Sequence, residues 1–129
     1  LLSRRQRQMC IREDLSVNGN VGIGTLDTQG HKLAVNGTIR AKEILVESNW
    51  ADFVFKKGYK LPTLREVEEY IKKKGTLPDV PSEEEIKANG VNLGATNALL
   101  LQKIEELTLY VIQQQKEIEE LKSKITQAK

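Results

Sequence analysis

Histidine and cysteine, the residue types most often drawn into catalysis and metal binding, occur once each in this 129-residue chain and stand far apart. His31 is the single histidine, set in the polar stretch "TLDTQGHK", and Cys10 is the single cysteine. A metal centre needs several nitrogen, sulfur or carboxylate ligands converging on one point. One loop histidine with no His-x-His pattern around it does not supply them. Asp79 and the run Glu83-Glu84-Glu85 have no nucleophile to activate, and the run suits the start of a helix, where negative charge meets the positive end of the dipole. Gly19-x-x-Gly22-x-Gly24 reverses the order of the dinucleotide fingerprint, no long helix follows it, and no acidic residue sits at the required distance. The expectation is no catalytic residue, no cofactor, no metal and no enzyme activity. A single cysteine also rules out an intrachain disulfide framework.

A second chemistry is stacking. Trp50, Phe53, Phe55 and Tyr59 are four of the six aromatic residues, and all fall within "NWADFVFKKGYKLP". They admit two readings: a platform for sugar rings, or a small core that holds neighbouring elements together. The second has the larger physical weight, because aromatic side chains are large apolar areas first. Phe53 and Phe55 are expected to share one face of an extended segment.

The elements around these residues begin with a repeat. "LSVNG" at Leu15–Gly19 returns as "LAVNG" at Leu33–Gly37, eighteen residues later. A repeated unit seldom buries its apolar face alone, and two copies are too few for a free-standing array. Leu15/Val17, Val21/Ile23, Leu33/Val35 and Ile39 alternate with small or polar residues, which predicts short strands. Asn18-Gly19 and Asn36-Gly37 read as tight turns. Glycines at 19, 22, 24, 30 and 37 leave little side chain for a core and suit close packing of backbones, as in a fibre of intertwined chains.

The charge is uneven. Arg4, Arg5, Arg7 and Arg12 against Glu13 make +3 over residues 1–13, so the chain's +2 leaves residues 14–129 at −1. The basic stretch has no apolar period and no interleaved aromatics, so it is not read as a nucleic-acid arm. It resembles translated sequencing-adapter DNA, and residues 1–13 are taken as an artefact of a truncated frame or a disordered arm. No stretch has the length of a membrane-spanning helix.

Helices follow. Thr63-x-x-Glu66 is a capping box after Pro62, and Gly75 closes that helix behind Lys72-Lys73-Lys74. Leu64, Val67, Tyr70 and Ile71 share its apolar face. Leu77-Pro78 and Val80-Pro81 favour extended backbone, and Ser82-x-x-Glu85 caps a short helix ending at Asn89-Gly90. From Asn97 onward the pattern is heptad. Ile104, Val111, Ile118 and Ile125 take position a; Leu100, Leu107, Gln114, Leu121 and Ala128 take position d, and seven of these nine are large and apolar. That density selects a coiled coil over an ordinary surface helix. Glu117 at g and Lys122 at the next e are placed for an ion pair between chains. Leu101, Leu109 and Ile112 add a second apolar flank upstream, expected to receive the helix at 64–74.

"NVGIGT", "KLAVNGTIRAKEI", "WADFVFKKGYKLPTLREVEEYI", "GTLPDVPSEEEIKANGVNLG" and "NALLLQKIEELTLYVI" together resemble the C-terminal region of phage-type tail-fibre proteins of Bacteroidetes and their phages, over about residues 15–122. The resemblance implies an α+β chain: Gly-rich β repeats ending a fibre shaft (14–48), an aromatic junction with a small head of capped helices (49–96), and a long coiled-coil helix (97–129). It implies a parallel homotrimer in a virion tail fibre or a cell-surface appendage, with the chain itself as partner and neither nucleic acid nor membrane. Two alternatives come with it. One is a host-surface binding tip, for a glycan or protein, on the four aromatics. The other is a self-releasing intramolecular chaperone of the endosialidase type, whose Ser-Asp motif with a nearby lysine corresponds here to Ser48-Asn49-Trp50, without the aspartate.

Overall fold

The computed structural model describes residues 14–50 and 52–129; the reading of residues 1–13 lies outside them. Over the described residues the protein is a small α+β chain with a two-stranded parallel sheet, β1 (Val21–Ile23) and β2 (Leu33–Val35), and three helices. These are α1 (Leu64–Lys74), α2 (Glu83–Asn89) and the long α3 (Leu93–Gln127). It divides between Ile44 and Leu45 into two compact units.

In the first unit Val21 pairs with Leu33, Gly22 with Ala34 and Ile23 with Val35, in parallel. This corrects the tight-turn expectation. A two-residue Asn-Gly turn can only join antiparallel neighbours. Here the chain instead returns to the start of β1 through a polar loop. In that loop the Asp27 carboxylate accepts from the Gln29 amide at 2.9 Å, and the His31 amide donates to the Thr28 carbonyl at 2.9 Å. Asn36 ends β2 by donating its backbone N–H to the Ile23 carbonyl and its side-chain amide to the Gly24 carbonyl. Neither Leu15–Val17 nor Ile39 lies in a strand. Gly22 is a steric requirement: a Cβ there would stand 2.3 Å from the Thr25 carbonyl oxygen. No residue from 14 to 44 is buried, and Leu33, Ile23 and Ile39 face solvent. A sheet of two three-residue strands has no face large enough to stabilise itself.

In the second unit both capping boxes are formed. The Thr63 hydroxyl accepts from the Glu66 amide while Glu66 accepts from the Thr63 amide, and Ser82 and Glu85 do the same for α2. Each such cap satisfies two otherwise unpaired helix donors. Gly75 and Gly90 close the two helices with φ of 72° and 73°. Between them Pro78 and Asp79 sit at the centre of a turn closed by the Val80 amide on the Leu77 carbonyl, with Asp79 in the left-handed region. Residues 53–59 form two successive turns, Lys56 N–H to Phe53 C=O and Tyr59 N–H to Lys56 C=O. They do not form the extended segment expected, so Phe53 and Phe55 share no strand face.

The long helix starts at Leu93, a turn earlier than the heptad reading placed it. Asn92 opens it without a side-chain cap. The early start brings Gly94 against the chain that leads into this unit: a Cβ there would lie 2.9 Å from Val46 Cγ1 and from Ser48 Cβ. Glycine to alanine inside a helix usually stabilises by about 1 kcal/mol. We expect the opposite for Gly94→Ala, because Val46 is stiff at χ1 and the Ser48 contact is close to backbone. Hydrogen exchange of residues 46–48 should rise in the variant; unchanged protection with a higher melting temperature would contradict the contact.

Candidate functional site

The feature that stands out chemically is α3, which has two unlike faces. At 3.6 residues per turn, Ala98, Gln102, Glu106 and Tyr110 run up one side. Ala98, Glu106 and Tyr110 are the buried residues of the helix. The opposite side carries Leu100, Ile104, Leu107, Val111, Ile118, Leu121 and Ile125, which are between 45 and 61% exposed. Seven large apolar side chains in one uncovered stripe are far more than scattered surface apolars. Gln114 lies in the same stripe. Beyond Tyr110 every residue of the helix is exposed.

The covered face is held by a polar latch. Glu106, only 7% exposed, accepts hydrogen bonds from the Tyr59 hydroxyl, from Gln102 Nε2 at 3.2 Å and from Lys103 Nζ at 3.1 Å. Lys103 also lies 3.8 Å from the Asp79 carboxylate, so the Pro78-Asp79 turn contributes to its charge balance. One turn on, Tyr110 donates to the Pro62 carbonyl at 2.5 Å. Val54, 2% exposed, is the most buried side chain described. The segment from Tyr59 to Pro62 therefore covers α3 in the role expected of α1. No residue of α1 is buried, its Leu64, Tyr70 and Ile71 are exposed, and Ile112 on α3 is exposed as well; Leu101 and Leu109 are half-buried.

Two shifts follow from the latch. Burial pushes the Tyr59 phenol up, and its bond to the Glu106 carboxylate adds to that, bringing it to about 12. Burial alone would raise Glu106, but the hydrogen bonds from Tyr59, Lys103 and Gln102, with the Lys103 charge, outweigh it and hold the carboxyl below 4.5. The folded form thus binds the Glu106 proton less tightly than the unfolded chain. That contribution is complete above pH 4.5 and is lost as pH falls through the depressed folded value. Tyr59 works the other way: its contribution is complete below pH 10 and is lost as pH rises toward about 12. Thermal melts across pH should fall off at both ends, and Tyr59→Phe should flatten the alkaline fall. Tyr110, also raised by burial, keeps a remnant of it. An identical alkaline profile in Tyr59→Phe would contradict the latch.

Of the four aromatics, the structure brings Phe53 and Tyr59 together, with ring centroids 5.6 Å apart at 49°. Trp50 and Phe55 are exposed. The latch itself was not found from sequence. Its signal was the spacing Gln102, Lys103, Glu106 on one helix, which also describes an ordinary solvated face. An apolar groove of about 340 Å³ runs beside the stripe, lined by Val80, Ile86, Val91, Ala95 and Leu99 and reaching the stripe at Leu100. Among the described residues no group of three or more His, Cys, Asp or Glu is placed to hold a metal ion, and no helix is long and apolar enough to cross a membrane.

Compared with family models, with curated proteins and with solved structures, the chain matches none of them.

Proposed function

We propose that the chain is an assembly region: α3 gathers three copies in parallel along its apolar stripe, and the gathered chains pair their Gly-rich β segments into the end of a fibre shaft. The observation that carries this is the uncovered stripe from Leu100 to Ile125 on a helix whose other face is already occupied. In water such a stripe is stabilised by burial against its like, at roughly 1.5–3 kcal/mol for each large side chain fully covered. The β unit supplies the complementary need, since none of its apolar residues from 14 to 44 is buried in one copy. Association through helices solves the slow, non-local pairing of strands by holding them at millimolar local concentration. The seam chemistry, Ile/Val at a with Leu at d, suits two strands in simple zippers. Three is taken from the likeness to trimeric tail fibres, as is placement in a phage-like tail fibre or surface appendage.

Coupling between helix association and strand pairing is the testable core. Hydrogen exchange should show protection of Val21–Ile23 and Leu33–Val35 rising with protein concentration, in step with protection of the stripe. Strands equally protected in the dissociated chain would contradict an assembly role. A second reading, surface binding, is favoured by the exposure of Trp50 and Phe55. Glycan-array binding that disappears in Trp50→Ala would support it.

A further inference from the structure

Because α3 begins at Leu93, its heptads extend one further repeat than the sequence pattern indicated: Leu93 takes position d and Asn97 takes position a. The stripe then holds two polar residues, Asn97 near its start and Gln114 near its middle, both exposed. Neighbouring glutamines are tied along their own helix, Gln113 to Glu117 at 3.2 Å and Gln115 to Glu119 at 3.0 Å. Asn97 and Gln114 have no such partner, since the residues four places on are Leu101 and Ile118. Among the described residues neither makes a side-chain hydrogen bond.

We infer that Asn97 and Gln114 are the register-setting residues of the association, each hydrogen-bonding its own counterpart in the other copies; this rests on the stripe being an interface between copies. In a parallel, unstaggered arrangement Asn97 meets Asn97 and Gln114 meets Gln114, so every amide finds an amide. A slip by one heptad sets Asn97 against Ile104 and Gln114 against Leu107 or Leu121, leaving amides unpaired among apolar side chains, which is costly. An antiparallel pair can match Asn97 with Gln114, but it overlaps only about as far as Ile118 and leaves Leu121 and Ile125 uncovered. The parallel arrangement also places Glu117 at g beside Lys122 at e of the next copy. Two polar positions seventeen residues apart, about 25 Å along the axis, thus select one alignment where an all-apolar stripe would accept several. A polar residue at an a position trading stability for register is established coiled-coil chemistry.

The test compares the full chain with Asn97→Ile/Gln114→Leu, both carrying a spin label at Ser123→Cys on the outer face and Cys10→Ser. The native seam should give a single label-to-label distance set by the width of the bundle. The double variant should melt at a higher temperature and give several distances or a mixed oligomer mass. A double variant that keeps that single distance overturns the inference and leaves the interface standing. A native chain that is monomeric, or whose labels are separated along the axis by most of the length of α3, overturns the inference together with the parallel interface it rests on.

Discussion

Ile118→Asp should abolish self-association while leaving the single chain folded. Ile118 lies eight residues beyond Tyr110, the last covered residue of α3, and among the described residues none covers it. Its side chain matters only when another copy covers it. The substitution removes the burial of one large apolar group and places a carboxylate in the seam, where an unpaired charge forces protonation or disruption. Together these cost on the order of 3 kcal/mol per chain, about a hundredfold in association per chain at 1.4 kcal/mol per decade. Light scattering should fall to the monomer mass at micromolar concentration. Near-ultraviolet circular dichroism from Tyr59 and Tyr110 should be unchanged. An unaltered mass would mean that the stripe is not the contact surface.

Glu106→Ala should do the reverse, loosening the second unit from within. It removes one acceptor shared by Tyr59, Gln102 and Lys103, and leaves Lys103, 13% exposed, with only the Asp79 carboxylate 3.8 Å away. Orphaned half-buried donors and a half-paired, half-buried cation together destabilise by about 2 kcal/mol. Glu106→Gln keeps the volume and an acceptor oxygen, so it should cost less. Tyr59→Phe/Glu106→Leu should recover only the Tyr59 share of the loss, since that pair then lacks both members while Gln102 and Lys103 still lack the carboxylate. Urea unfolding monitored by near-ultraviolet signal decides between these. A loss in Glu106→Ala below about 1 kcal/mol would show that the latch is incidental.

Much of the second unit is legible in the sequence because its signals are local. Thr63-x-x-Glu66 and Ser82-x-x-Glu85 fix helix starts within four residues, and Gly75 and Gly90 fix their ends. The apolar period of α3 is equally local. Its true start at Leu93 was missed because Asn92 makes no side-chain cap and Gly94 reads as a breaker, whereas the glycine is there to let Val46 and Ser48 approach. The β unit misled for a related reason. Alternation and Asn-Gly pairs state that strands and turns are near, but not which strand is the neighbour. Pairing of Val21–Ile23 with Leu33–Val35 in parallel is decided by the Asp27 turn and the Asn36 bonds across the sheet. The latch was invisible for a third reason. Glu106 is buried by Tyr59, 47 residues away in sequence, and no periodicity records such a contact.

The central claim is that the exposed stripe of α3 joins three copies of this chain. Sedimentation equilibrium of the full chain at micromolar concentration tests it most directly. The expected result is a single species at three times the chain mass of 14.6 kDa. A dimer mass would contradict the trimer while keeping the stripe as a seam, and a monomer across the whole concentration range would contradict the assembly role itself.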